Sequence, residues 1–392
     1  MIIGVPKETY PGEKRVALIP AAIPPLAKAG MEVLVESHAG AEAGYPDSAY
    51  TDKGAKIAAS RIEVFESSQI LAQIRLLGAN PEQGKTDLPL YKSGQLVIGM
   101  AEALSHPHSI RDLNSRKVTA FAMELMPRIT RAQSMDVLSS MGTIAGYKAV
   151  VLAAESLPRM FPMLMTAAGT VTPAKVLIIG AGVAGLQAIS VARRLGAAVQ
   201  AYDLRPTVKE QVLSLGAKFV DLPLKTANAE DTSGYAKSQD EDFYRQQREL
   251  LAKVVASSDV VISTASVPGK KAPVLITTEM VAKMNPGSVI VDLAADRGGN
   301  CELTKVNQTI VAHGVTINGP ENLAGTVPYH ASQMYAKNIS AFLLHLAPKG
   351  ELKIDMKDEI TRDTLLTPGG AIVNARIREI LGPLAGRRPE DA

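Results

Sequence analysis

The sequence predicts two doubly wound α/β domains, the second inserted in the first. Short apolar runs alternate with helical patterns along most of the chain, a glycine-punctuated strand-to-helix turn opens a second such series at residue 175, and the pattern turns helical again after Pro328. The boundaries read as 1–139 with 328–392 for the first domain and 140–327 for the second. With 392 residues, 46% of them hydrophobic and 21% charged, the chain has apolar sequence enough for more than one core.

Taken in order, Ile2-Ile3-Gly4-Val5 is a strand stopped at Pro6, residues 21–29 are helical up to Gly30, and 32–35 form a second strand. Strand patterns at 70–77, 95–99 and 117–122 continue the rhythm, which implies a largely parallel sheet. Residues 126–140 are polar and irregular, and a long helix of small residues follows over 142–155. The second series has strands at 175–180, 198–202, 218–222, 260–264, 288–293 and 315–318, and the returning helix covers 331–346. Between Leu222 and Arg245 a run rich in Asp, Ser, Lys and Gly is read as a mobile functional loop or an insert without structure of its own. The tail from 386 to 392 is charged and expected to fray.

Composition removes several function classes. The charge sum, 42 − 39 = +3, comes from interleaved acids and bases, so no nucleic-acid footprint is present. Cys301 is the only cysteine, which excludes an internal disulfide framework and Cys-rich metal sites and fits a reducing, cytoplasmic setting. The first residues have no cationic lead and too short an apolar stretch for a secretory signal. Residues 176–192 are apolar but contain three glycines, Gln187 and Ser190; strand, turn and helix explain them better than a membrane span, and no membrane insertion is expected. His106 and His108 lack a third ligand nearby, so no metal site is expected. There is no G-x-S-x-G, P-loop or cysteine nucleophile. Met123, Met126, Met160, Met163 and Met165 read as core or interface filler.

The strongest local signal is Gly180-Ala-Gly182-Val-Ala-Gly185, directly after a strand and opening a helix. The first glycine permits the tight turn, the second lets the backbone approach a pyrophosphate, and the third packs helix on strand, as in Rossmann-like domains. Asp203 ends the next strand, 203 − 185 = 18 residues past the last glycine. There it would accept from an adenine-ribose 2′-hydroxyl and repel a 2′-phosphate, which predicts NAD(H) as the cofactor. Arg205 reads either as a solvated surface charge or as a phosphate contact pulling the other way. The stretch from Val260 to Gly269 reads as the fourth strand of such a domain and its following turn. Arg128, Arg131, Gln133, Asp136 and Ser139 either form a loop with a helix cap or grip the carboxamide and ribose of a nicotinamide nucleotide.

The runs MELMPRITRAQSMDVLSSMGTIAGYKAV, FPMLMTAAGTVTPAKVLIIGAGVAGLQAI and PGKKAPVLITTEMVAKMNPGSVIVDLAADRGGN, with Gly234-Tyr-Ala-Lys, resemble the NAD(H)-binding domain I of proton-translocating nicotinamide nucleotide transhydrogenase. Alanine dehydrogenases, its relatives, share the opening Pro-Lys-Glu-Thr and Arg-Val-Ala pattern. Where they have an acid/base histidine, this chain reads Val97-Ile-Gly-Met100-Ala-Glu102, and Arg15 and Arg75 remain from a cation site. The resemblance implies that Arg128, Ile129, Thr130, Gln133, Asp136 and Ser139 line the nicotinamide, with Gln133 reaching toward NADP(H) on a partner. It implies that Gly180, Gly182, Val183 and Gly185 hold the pyrophosphate and that Asp203, Leu204 and Arg205 contact the adenosine side. By the same resemblance Gly234 and Tyr235 belong to a loop closing over nucleotide, flanked by Gln247 and the Ala265-Ser266 turn, where Ser266 replaces a bulkier aliphatic residue. It further implies a homodimer with a hairpin swapped near 157–172, membrane-spanning and NADP(H)-binding partner components, and a peripheral place on the cytoplasmic face of the inner membrane. The alternatives are a soluble amino-acid dehydrogenase and a non-catalytic NAD(H) sensor.

Overall fold

The computed structural model describes residues 1–222, 241–266 and 269–382. Its contacts group the chain into two units, Met1–Met141 with Gly325–Ala392 and Gly142–Ala324. In the first, β1 (Ile2–Val5), β2 (Glu32–Glu36), β3 (Lys56–Ala58), β4 (Ile70–Arg75), β5 (Leu96–Met100) and β6 (Thr119–Ala122) lie in the order β6-β5-β4-β1-β2-β3, every pair parallel. Both faces of such a sheet are covered, which is why β1, β4 and β5 read as nearly continuous apolar runs.

The second unit begins with a small antiparallel hairpin, β7 (Leu164–Thr166) and β8 (Gly169–Val171), exposed along its whole length. Its main sheet contains β9 (Lys175–Ile179), β10 (Ala198–Tyr202), β11 (Lys218–Phe219), β12 (Val260–Ser263), β13 (Val289–Asp292), β14 (Thr309–Ala312) and β15 (Val315–Asn318). The order is β11-β10-β9-β12-β13-β15-β14, parallel except for the β14–β15 pair. Alternate residues serve two cores: Val176, Ile178, Val260 and Ile262 face one, Leu177, Ile179 and Val261 the other. Strand order reverses at β9, with β10 on one side and β12 on the other. Ligands of doubly wound sheets bind beyond the strand ends at such a point.

After Val327 the chain returns to the first unit through the helix Pro328–Leu346, anchored there by Ser332, whose hydroxyl accepts from the Val16 amide, and by Tyr335, which donates to the Gln73 carbonyl. Strand β16 (Leu365–Pro368) then pairs antiparallel with β6 and completes the first sheet at its edge.

Several elements depart from the sequence reading. The helix expected from residue 142 is Val137–Ser156, because Asp136 caps its start. It is long and apolar enough to cross a membrane by length and composition, unlike 176–192, which is strand, turn and helix. Its residues Ala149, Val150 and Ala153 are packed in the second unit's core. The strand expected at 218–222 is only Lys218–Phe219, and Arg245, placed in the polar run, belongs to the helix Glu241–Ala256. Strands β14 and β16, four residues each, were not expected: both are short edge strands, and β16 ends in proline.

Candidate functional site

The turn after β9 gives each glycine a distinct reason. Gly180 has φ +96°, and a Cβ there would lie 2.6 Å from the Thr264 hydroxyl. A Cβ on Gly185 would lie within bonding distance of the Gly180 carbonyl oxygen, so only glycine lets the helix Val183–Arg194 close on the strand. Gly182 is different. Its Cβ would meet nothing within 4 Å; the space in front of it is open. Gly182 is also the N-cap of that helix and offers no side-chain cap, so the helix start presents its amides outward with Val183 half-exposed beside them. A bare backbone facing open space at a helix N-terminus is what a pyrophosphate requires.

Asp203, at the end of β10, is buried and its carboxylate is engaged within the chain. One oxygen accepts from the Ala181 amide at 2.6 Å and from Arg205 Nη2 at 2.9 Å; the other accepts from the Arg205 amide at 2.8 Å and Nε at 3.0 Å. Arg205 is therefore not a solvated surface charge; its side chain is only 12% exposed and folds back on the carboxylate two residues before it. Leu204 between them is half-buried. Gln247, buried on the helix Glu241–Ala256, donates to the Tyr202 hydroxyl at 2.8 Å, and its carbonyl oxygen has no partner among the described residues. Burial pushes the Tyr202 phenol up to about 12.

Beyond β12, Thr264 donates its hydroxyl to the Gly180 carbonyl at 3.1 Å and its amide to the Ile179 carbonyl at 2.7 Å, so the Ala265-Ser266 turn abuts the glycine turn. Ser266 is exposed. Gly234 and Tyr235 lie outside the described residues, as do Val267 and Pro268.

In the first unit, the polar segment is a short 3₁₀ turn, Thr130–Met135, held down by buried Ala132 and Met135 and by Asn338, which donates to the Ser134 carbonyl at 2.8 Å. Arg128, Thr130 and Gln133 are exposed and Ile129 is half-buried. The Gln133 side chain forms no hydrogen bond among the described residues, whereas Asp136 and Ser139 are joined: Asp136 accepts from the Ser139 amide at 2.9 Å and from its hydroxyl at 2.5 Å. These two form a helix cap. Arg131 pairs with Asp358 at 2.6 Å. Among the described residues no group of three or more His, Cys, Asp or Glu is placed to hold a metal ion, and His106 and His108 sit at the start of the helix Pro107–Ser115.

Comparison with known proteins agrees with this fold. Residues 4–145 match the alanine dehydrogenase/PNT N-terminal domain and residues 149–375 the alanine dehydrogenase/PNT C-terminal domain. The chain belongs to the alanine dehydrogenase/PNT family. Among members of that family, it is 46% identical over 379 residues to an NAD(P) transhydrogenase subunit alpha chain of Rhodospirillum rubrum, covering 95% of this chain and 98% of that one. It is 31% identical to the alanine dehydrogenase of Bacillus subtilis, covering 97% and 95%. The crystal structure of transhydrogenase from Sinorhizobium meliloti superposes with a TM-score of 0.85 at 42% identity, covering 95% of this chain and all of that one. An L-alanine dehydrogenase structure gives 0.82 at 27%. Both likenesses carry the two-domain α/β fold, and identity is higher to the transhydrogenase subunits. The glycine turn, its open Gly182 and the Asp203 carboxylate fit the NAD(H) that domains of this family bind.

As a family member the chain also has a feature the sequence reading only half found. Arg15 and Arg75 are not left open: both bond to Glu13, Arg15 through two nitrogens at 2.5 and 2.6 Å and Arg75 at 3.0 Å. Burial alone would raise the Glu13 carboxyl, but the two guanidiniums hold it down at about 2. Glu8, beside it, accepts from the Ile74 amide at 2.6 Å and is pushed up to about 8 by burial and by the Glu13 charge. Glu8 and Glu13 escaped notice because a carboxylate early in a chain gives no sign of the arginine, 62 residues on for Arg75, that it meets.

Proposed function

We propose that this chain is the NAD(H)-binding component of a proton-translocating transhydrogenase. Hydride passes directly between NAD(H) held here and NADP(H) on a partner component, and a membrane part couples the transfer to proton movement. Gly182 and the uncapped helix start hold the pyrophosphate, Gly180 and Gly185 shape that turn, and Val183 covers one side of it. Asp203, with Leu204 and Arg205, holds the adenosine ribose; Gln247 and the Ala265-Ser266 turn flank the remainder. Arg128, Ile129, Thr130, Gln133, Asp136 and Ser139 serve the nicotinamide, and Gly234 and Tyr235 belong to the same set.

The observation that favours transfer between nucleotides over oxidation of an amino acid is the state of the first unit. Met100 ends β5 in the segment where alanine dehydrogenases have their histidine, and both arginines are bonded to the Glu13 carboxylate rather than left open. Without that histidine the residues present are suited to bind, orient and exclude water. The chain would act as a homodimer through the exposed β7–β8 hairpin, on the cytoplasmic face of the inner membrane through its partners. Mixing the protein with an NADP(H)-binding component and following transfer from NADH to an NADP analogue tests the reading. Alanine-dependent NAD reduction by the chain alone would replace it with a dehydrogenase, and NADH binding with neither activity would leave a sensor.

A further inference from the structure

Asn300 lies 35 residues beyond Ala265 and is wholly buried, yet its side chain saturates that residue's backbone. Its Oδ1 accepts from the Ala265 amide at 3.0 Å, while Nδ2 donates to the Ala265 carbonyl at 2.8 Å and to the Pro273 carbonyl at 2.9 Å. A residue between a strand end and an irregular segment has no sheet partner for either group, so the amide of Asn300 takes the place of a neighbouring strand. Asn300 is itself fixed. Its amide donates at 2.7 Å to Asp292, and Asp292, fully buried at the end of β13, also accepts from Ser263, Ala294, Cys301 and Thr304. The Asn300 carbonyl in turn accepts from the amides of Leu275 and Ile276.

The clamp ends where the glycine turn begins, since Thr264 bonds to the Gly180 carbonyl and a Cβ on Gly180 would lie 3.2 Å from the Ala265 amide nitrogen. In the sheet, Asp203 of the β10 end, the glycine turn of β9 and Ala265 of the β12 end stand in that order, spanning two strand spacings or about 10 Å. Given the dinucleotide reading above, on which this rests, adenosine occupies the β10 side and the nicotinamide half crosses β12.

We propose that Asn300 is a positioning residue, holding the Ala265-Ser266 turn, through its backbone, against the nicotinamide half of the bound dinucleotide. The role depends on the amide group rather than on bulk, and it predicts a loss confined to one half of the ligand.

NADH and 5′-AMP, which has only the adenosine half, are titrated against the wild-type protein, Asn300→Ala, Asn300→Ser and Val289→Ala. The last opens a cavity at the opposite end of β13 and reports a plain loss of stability. Asn300→Ala should weaken NADH about tenfold and AMP less than about twofold. Val289→Ala should lower Tm with the NADH-to-AMP ratio unchanged. Should Asn300→Ala not fold, Asn300→Ser is read by the same ratio, and hydrogen exchange at the Ala265 amide in nucleotide-free protein should be faster in it than in wild type. Equal losses of NADH and AMP, an unchanged NADH affinity, or unchanged exchange at Ala265 overturns the assignment. If the wild-type protein binds no NADH, the dinucleotide reading falls and this role with it.

Discussion

The carboxylate of Asp203 accepts the amide of Ala181 at 2.6 Å, tying the end of β10 to the middle of the glycine turn after β9. The same carboxylate holds the Arg205 guanidinium, so the group expected to choose the cofactor also restrains the nearest cation. A 2′-hydroxyl can share an oxygen that already accepts two bonds; a 2′-phosphate would face the carboxylate's charge.

Asp203→Ala should weaken NADH by about 1–3 kcal/mol and improve NADPH, because it removes a buried acceptor and releases Arg205 toward a phosphate. Equilibrium titration with both nucleotides measures this, and an unchanged NADH affinity would mean that Asp203 and the glycine turn do not hold the adenosine side of NADH.

Gly182→Ala and Gly185→Ala should separate binding from folding. The methyl of Gly182→Ala enters open space at an ordinary φ, so Tm should hold while NADH weakens by about tenfold or more, about 1.4 kcal/mol. The methyl of Gly185→Ala meets the Gly180 carbonyl, and Tm should fall with binding. Thermal melts with and without NADH read both.

Gln133 is exposed on an anchored turn and its side chain bonds to no described residue, so Gln133→Asn should leave Tm and NADH affinity nearly intact. Transfer in the reconstituted complex should slow by about 10- to 100-fold if this side chain bridges two nucleotides. Single-turnover measurements decide; parallel losses of binding and transfer would end the bridging role.

Glu8 supplies a pH dependence of stability. Its folded value of about 8 lies above the ordinary carboxyl value of 4.5, so the folded state keeps a proton that the unfolded chain releases. Stability is then fully present below about 4.5 and declines as pH rises toward 8. Glu8→Gln mimics the protonated acid, and between pH 5 and 9 its stability should fall by about 1–3 kcal/mol less than that of wild type. Denaturant unfolding at several pH values tests this; parallel curves would show Glu8 ionised in the folded protein.

Met163, Leu164, Met165 and Val171 are exposed on or next to a two-stranded hairpin that is marginal by itself. Met165→Asp should shift a dimer toward monomer in sedimentation, with the unit's own Tm changed little.

The legible part of the molecule is the part governed by local rules. Spacing alone gave Gly180, Gly182, Gly185 and Asp203 their places, because a strand, a turn and a helix in sequence leave little freedom. The folding back of Arg205 on Asp203 depends on the dihedrals of one turn, and no composition reveals it. Asp136 and Ser139 supported either a cap or a nucleotide contact from sequence; the cap is what their mutual bonds form, and a contact to nucleotide stays a proposal. Asn300 was invisible, since an asparagine after two glycines reads as turn chemistry until its partner 35 residues earlier is known.

The helix Pro328–Leu346 and β16 have a bearing on biosynthesis. Emerging from a ribosome, the first unit has β1 to β6 available long before the helix that supplies Tyr335 and Phe342 to its interior and the strand that covers the open side of β6. The intervening unit has all its strands by Asn318 and needs nothing from that late segment for its sheet. The segment translated first is therefore finished last, and while it waits its β6 edge is exposed to wrong pairing. A nascent chain stalled before Pro328 carries one complete sheet and one unfinished one, the state in which a chaperone has most to hold.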